Sequence, residues 1–156
     1  MSEPTFIYPI VIRTTPEKAW KALTDGEESQ KYFFGRRIQS SWKIGNPVEY
    51  WVDQGHGLDV KGELLEFDPP RLARFTWHVE WVESMRDLPP ATVEYEVEPI
   101  EDGLVRVTIR EYDSIEKYRE ASRDGWSRIF SNLKTYLESG TPMTTFVPEP
   151  PESAKI

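Results

Sequence analysis

The sequence feature that most restricts the fold is a long amphipathic stretch, GWSRIFSNLKTYLESG, at residues 125–140. Its large apolar residues recur at intervals of three and four, and they are Trp126, Ile129, Phe130, Leu133 and Leu137. This spacing places them on one stripe of an α-helix, while the other face is polar and Gly140 ends the pattern. A helix with so broad an apolar stripe must lie against another apolar surface, which the rest of the chain has to supply.

Short β-type segments between residues 36 and 112 can supply that surface. In RFTWHVEWV the apolar residues Phe75, Trp77, Val79 and Trp81 alternate with polar ones, and TVEYEVE and LVRVTIRE repeat the alternation. Such alternation predicts an antiparallel sheet with one apolar face and one charged face. The acidic row on the charged face is expected to be solvated surface, and it consists of Glu94, Glu96 and Glu98.

The segments that flank this sheet predict one further strand and three helices. Residues 6–13 are β-branched and aromatic, which is typical of a strand. Two helices are predicted to follow, the first capped by Thr15 and the second over about residues 27–34. The long C-terminal helix is expected to begin near residues 113–114, with Gly125 as a kink or as a point of close approach to a neighbouring element.

The order of these elements is β-α-α-β6-α, which predicts an α+β fold with a curved antiparallel sheet wrapped around the long C-terminal helix. At 156 residues the chain has the size of a single domain. Residues 1–140 are predicted to form that domain. The Pro-rich residues 141–156 are predicted to form an extended or disordered tail.

Composition excludes several classes of function. The chain carries 19 Lys and Arg against 27 Asp and Glu, a net charge of −8, so it has no basic surface for nucleic acid or for an anionic membrane. The absence of cysteine rules out disulfides, thiol nucleophiles and thiolate metal sites. No signal-peptide pattern, spanning apolar run, P-loop or G-x-S-x-G motif occurs in the sequence, and we expect a cytoplasmic protein.

Five separated motifs resemble one family, and they are TTPEKAWKALTD, KYFFG, SSWKIGNPVEY, GELLEFDPPRLARFTW and GWSRIFSNLKTYLESG. In this order they are similar to the START-like superfamily (SRPBCC, Bet v 1-like), in its bacterial branch related to the activator of Hsp90 ATPase. The resemblance implies a helix-grip fold with a cavity between the sheet and the C-terminal helix. It also implies a range of functions: binding of lipids, polyketides or flavonoid-like molecules, cyclase-type catalysis, or Hsp90 co-chaperone action.

Within that range we expect binding of an apolar small molecule. From its length we expect the chain to lack the separate N-terminal Hsp90-binding domain of the eukaryotic activator, which argues against genuine Hsp90 activation. A chaperone-associated interaction module is therefore kept as the alternative, and a cyclase-type enzyme is a third hypothesis. The expected ligand-binding residues are Phe33, Trp42, Tyr50, Phe75, Trp77, Trp81, Tyr95, Glu111, Trp126, Ile129, Phe130 and Leu133. The same rings could instead pack as a solid core, and periodicity does not separate the two arrangements. The long segment at residues 79–91 is expected to overhang the cavity mouth.

Ionisable residues give few signs of catalysis. Glu111 shares the parity of the inward-facing Val107 and Ile109, so it could point inward, but an exposed position at the end of its strand is the favoured expectation. Glu63 could point to either face, because a bulge in its strand could turn it either way. A solvated loop position is favoured for His56 over a metal site, and a place on the charged face of its strand is favoured for His78. We therefore expect no catalytic residue, cofactor or metal, and the sequence leaves the oligomeric state open.

Overall fold

A single curved antiparallel sheet and three helices make up the fold, as seen in a computed structural model that describes residues 3–52 and 57–144. The strands are β1 (Phe6–Arg13), β2 (Arg36–Ser40), β3 (Pro47–Val52), β4 (Gly57–Asp68), β5 (Leu72–Val79), β6 (Ala91–Glu101) and β7 (Leu104–Tyr112). The helices are α1 (Pro16–Thr24), α2 (Gly26–Tyr32) and α3 (Glu116–Ser139), and a 3₁₀ turn occupies Glu83–Met85. The sheet order β1-β7-β6-β5-β4-β3-β2 confirms the predicted α+β fold.

Helix α3 packs against the apolar face of the sheet. The alternating residues of β6 and β7 point inward as predicted, with Val93 and Val107 completely buried. Trp126, Phe130 and Leu133 of α3 are buried on the predicted stripe and belong to the same hydrophobic core. Complete burial of one such aliphatic or aromatic side chain contributes about 1.5–3 kcal/mol, so this seam is the main source of the helix's stability.

The helix ends follow local chemistry with one exception. Thr15 caps α1 by accepting a hydrogen bond from the Lys18 backbone N–H at 3.2 Å. Helix α3 begins at Glu116, later than expected, and no side chain caps it. The reason is that the Ser114 hydroxyl is hydrogen-bonded to Thr5 at 2.6 Å, and Asp113 has a left-handed backbone with φ of 59°.

The expectation that Glu94 is solvated surface is wrong. Glu94 does lie on the outer face of the sheet, but it is only 4% exposed. The strand register places Arg74 and Arg110 on either side of it, and both guanidinium groups pair with its carboxylate. Alternation predicted the correct face, and the two arginines of the neighbouring strands then cover the carboxylate. Glu63, by contrast, is exposed.

Gly125 is not a point of close approach. Helix α3 runs without interruption from 116 to 139, and a Cβ atom built at Gly125 would meet nothing within 4 Å. After α3, the buried Asn132 binds the returning chain, because its side chain accepts hydrogen bonds from the Met143 and Thr144 backbone N–H groups at 2.6 and 3.3 Å. Residues 145–156, most of the predicted tail, lie outside the described residues. No helix in the described ranges has both the length and the apolar character needed to cross a membrane.

Candidate functional site

A cavity of about 330 Å³ lies between the first half of α3 and the apolar face of the sheet. Its walls are mainly aromatic and aliphatic, and they include Phe33, Phe34, Val60, Trp77, Val79, Trp81, Trp126 and Ile129. A smaller cavity of about 60 Å³ adjoins it and shares Trp77, Val79 and Glu111 with it. Met85, Leu88 and Pro89 bound this smaller space, so the long segment between β5 and β6 overlies one end of the site as expected.

The structure divides the twelve residues proposed from the sequence into three groups. Six of them line the cavity, and these are Phe33, Trp77, Trp81, Glu111, Trp126 and Ile129. Five are buried in the packed core beside it, and these are Tyr50, Phe75, Tyr95, Phe130 and Leu133. Both arrangements that the sequence allowed therefore occur in one molecule, with a solid core under the second half of α3 and a cavity under the first half.

Trp42 is the one residue of the set that lies elsewhere. Its ring stacks on Phe67 with the centroids 5.0 Å apart, and Phe67 in turn contacts Trp20 of α1 at 5.7 Å. Trp42 follows β2 in a left-handed backbone conformation with φ of 59°, so the alternation of the strand does not extend to its side chain. It does not line the cavity.

In the core next to the cavity, two buried tyrosine hydroxyl groups are hydrogen-bonded to each other. The hydroxyl groups of Tyr50 and Tyr95 are hydrogen-bonded to each other at 2.7 Å, and both side chains are completely buried. Burial raises the pKa of both phenols, so they stay neutral. Neither tyrosine is among the residues that line the cavity.

Glu111 brings a carboxyl group to the wall of both cavities. It is 3% exposed, so it faces inward, and the expectation of a surface position at the strand end is wrong. The Trp126 indole Nε1–H donates to its Oε1 at 2.5 Å. Burial raises the pKa of Glu111, and the hydrogen bond from Trp126 opposes that change. The parity of β7 thus continues to its end, because α3 covers the last residues of the strand.

Arg36, which is not among the residues expected from the sequence, places a cation at another part of the wall. Its Nε donates to Asp59 Oδ2 at 2.9 Å, and the guanidinium carbon lies 5.3 Å from the Trp81 ring centroid and 5.8 Å from that of Phe33. Burial lowers the pKa of Arg36, and the Asp59 carboxylate opposes this effect. Arg36 shares the parity of the buried Ile38 along β2, a signal that could have found it.

The family model described as Activator of Hsp90 ATPase homolog 1-like protein matches residues 13–138. The chain belongs to this family. No significant match was found among curated proteins. Among solved structures, CalU16 from Micromonospora echinospora is 19% identical with a TM-score of 0.69, covering 87% of this chain and 74% of its own. An HSP90 activator from Plasmodium falciparum is 17% identical with a TM-score of 0.68, and the Aha1 dimer from Colwellia psychrerythraea is 20% identical with a TM-score of 0.65. In both cases the match covers 86% of this chain and 96% of the other chain. These likenesses show the shared fold.

The remaining candidates in this family member offer little chemistry. His78 borders the smaller cavity and contacts the Glu80 carboxylate through Nδ1. Within residues 3–52 and 57–144, no three His, Asp or Glu side chains are grouped so that they could hold a metal ion. His56 lies outside the described residues. The site is thus an aromatic cavity with two buried ionisable groups, Glu111 and Arg36, on its walls, and the exposed ion pair of Asp124 and Arg128 also borders it.

Proposed function

We propose that this protein binds a hydrophobic small molecule, such as a lipid, a polyketide or a flavonoid-like compound, in the cavity between the sheet and α3. The observation that carries the proposal is the space of about 330 Å³ whose walls include Phe33, Trp77, Trp81 and Trp126. Ligand pockets usually measure about 300–1,000 Å³ and combine apolar walls with a few polar groups. The cavity lies at the small end of that range, which favours a ligand of one to three rings or a short acyl chain.

Binding would draw its free energy mainly from the removal of apolar surface from water, at about 25 cal/mol per Å². The rings bounding the cavity are held by their neighbours, since Trp126 contacts Trp77 at 5.3 Å and Phe33 at 5.7 Å between centroids. A wall formed in advance reduces the ordering required on binding. Glu111 and Arg36 would then select ligands by the position of their polar groups.

The proposal is tested by screening fatty acids, polyketides and flavonoids with native mass spectrometry and thermal unfolding. A ligand at about 100 times its Kd stabilises the folded state by about 2.7 kcal/mol, which for a domain of this size raises Tm by roughly 5–10 °C. A bound mass together with such a shift would support the proposal. If no compound in the screen produces either signal, the cavity is not a binding site for these classes.

A chaperone-associated interaction module is the second candidate. Membership in the family and the likeness to an HSP90 activator favour it, as does an exposed apolar strip on the outer face of β1, where Ile7 is 52% and Val11 39% exposed. The centre of the outer face is instead covered by the ion pairs of Glu94. An ATPase assay of a bacterial Hsp90 homologue with and without this protein tests the idea, because unchanged ATP turnover would remove it.

A cyclase-type enzyme is the third candidate, and Glu111 supports it as a carboxyl group buried in the cavity. Burial raises the pKa of Glu111, and a carboxyl group with a raised pKa is the kind of group that general acids use. The test is conversion of any ligand found in the screen: turnover by the wild type that Glu111→Gln abolishes would support catalysis. Recovery of the ligand unchanged after prolonged incubation with the wild type would exclude it.

A further inference from the structure

Glu111 differs from every other buried carboxylate in the described part of the chain. Three carboxylates there are buried, and they belong to Asp59, Glu94 and Glu111. Asp59 is paired with Arg36, and Glu94 is paired with Arg74 and Arg110. Glu111 has no cation within salt-bridge distance among residues 3–52 and 57–144, and its hydrogen-bond partner there is the neutral indole of Trp126. A buried carboxylate without a countercharge is destabilising unless something else supplies the charge.

The place where a countercharge could enter is open to the cavity. Glu111 forms part of the wall common to the larger and the smaller cavity, and the hydrogen bond from Trp126 involves Oε1, which leaves Oε2 without a protein donor in the described residues. The indole rings of Trp77 and Trp126 lie beside this carboxyl group and line the same space. Trp126 presents its N–H edge to Glu111, so the rings supply apolar surface for the body of a ligand while the carboxylate attracts a cationic group.

The charge distribution of the cavity also sets an orientation, in which the exposed Asp124 and Arg128 at the wall balance each other at 3.2 Å. Arg36 lies against Trp81 and Phe33, and it would repel an ammonium group brought to that part of the wall. Its own charge is balanced by Asp59 at 2.9 Å, so Arg36 does not serve as the countercharge of Glu111. A ligand with a cationic group at one end and an apolar body would therefore place the cation at Glu111 and the body against the remaining rings.

We propose that the ligand is an aromatic or otherwise apolar amine whose protonated nitrogen pairs with the Glu111 carboxylate beside Trp77 and Trp126. This inference rests on the proposed binding function and narrows its ligand class. An ammonium group completes the hydrogen bonding of Glu111 and supplies the missing charge, and charge-assisted hydrogen bonds of this kind are stronger than neutral ones. A neutral hydroxyl could donate a hydrogen bond to the Glu111 carboxylate but would not supply the missing charge, and an acid would meet the carboxylate as a like charge.

Three naphthalene compounds that differ in one group test the inference, and they are 1-naphthylmethylamine, 1-naphthalenemethanol and 1-naphthoic acid. Titration calorimetry at pH 7 on the full chain should show the amine binding about tenfold or more tightly than the alcohol, with the acid weakest. Glu111→Gln should remove the preference of amine over alcohol. Glu63→Gln, the same change at an exposed glutamate, should leave that preference as in the wild type.

The outcomes separate this inference from the proposed function. If the alcohol binds as tightly as the amine, the amine assignment is overturned while binding in the cavity stands. A preference that persists in Glu111→Gln also overturns it, because the amine would then be held elsewhere. If none of the three compounds binds, both proposals fail for ligands of this size. Should Glu111→Gln not fold, the indole N–H signal of Trp126 in the wild type decides, since the amine should shift it more than the alcohol does.

Discussion

Substitution of Gly125 by leucine should stabilise the protein while it blocks the cavity. Gly125 forms part of the cavity wall in the middle of α3, and a Cβ atom there would meet nothing within 4 Å. Glycine in a helix interior destabilises by about 0.5–1 kcal/mol relative to a good helix former. A leucine side chain lying against the cavity rings adds about 1 kcal/mol through partial burial, since complete burial gives about 1.5–3 kcal/mol.

We therefore expect Gly125→Leu to raise the free energy of unfolding by about 1–2 kcal/mol, which corresponds to an increase in Tm of roughly 2–8 °C. The same side chain occupies part of the space of about 330 Å³, so the affinity for a cavity ligand should fall about tenfold or more. Chemical denaturation measures the stability, and titration with 1-naphthylmethylamine measures the binding.

Thr135→Leu is the matched control, because Thr135 lies on α3 outside the walls of the cavity, so it adds a leucine to the helix without entering that space. It should leave the affinity as in the wild type. The reasoning would be refuted if Gly125→Leu unfolded more easily than the wild type, which would mean that the space is already filled. Unchanged affinity in Gly125→Leu would show that the ligand binds somewhere else.

Three further predictions concern buried polar groups and one close contact. Burial raises the pKa of Glu111 above its usual value of 4.5, so the stability of the wild type is fully retained below that value and decreases as the pH rises through the folded-state pKa. Glu111→Gln should lack this decrease and should be the more stable protein at pH 7. Urea titrations at several pH values measure both effects. Asn132→Ala should lower the free energy of unfolding by about 2–3 kcal/mol, because it removes hydrogen bonds to the backbone of Tyr32, Met143 and Thr144. The same substitution at the exposed Asn46 should change the free energy of unfolding by less than about 0.5 kcal/mol in the same assay. Gly62→Ala should lower the free energy of unfolding by about 3 kcal/mol or more, since its Cβ would lie 1.7 Å from the Thr76 carbonyl oxygen. Gly125→Ala should instead stabilise the protein, because a Cβ atom at Gly125 meets nothing within 4 Å. Equal effects of the two substitutions in thermal unfolding would contradict the assigned packing.

Local sequence patterns predicted the elements of the fold and the faces of its strands. The alternation in β5, β6 and β7 and the stripe on α3 depend only on which residues follow one another, so the periods of two and 3.6 residues were enough to assign them. What covers a residue depends on neighbouring strands, and this is why Glu94 was misjudged. Its two arginine partners are 20 and 16 residues away in sequence.

The candidate site was predictable only in part for the same reason. Parity made an inward Glu111 conceivable, but the coverage of the β7 end by Trp126 of α3 is a tertiary contact that no local pattern shows. Trp42 lies outside the strand whose alternation suggested its direction. The division of the apolar stripe into a packed half and a hollow half depends on the distance between α3 and the sheet, which is set by the curvature of the whole sheet.

The most direct test of the account is a titration of the ¹⁵N-labelled protein with 1-naphthylmethylamine, followed through the indole N–H signals of its six tryptophans. Three of these residues line the cavity, and they are Trp77, Trp81 and Trp126. If the ligand binds beneath α3, their signals should shift together along one binding curve, while those of Trp20, Trp42 and Trp51 remain in place. Shifts confined to the second group, or no shift at ligand concentrations that saturate the calorimetric signal, would contradict a binding site beneath α3.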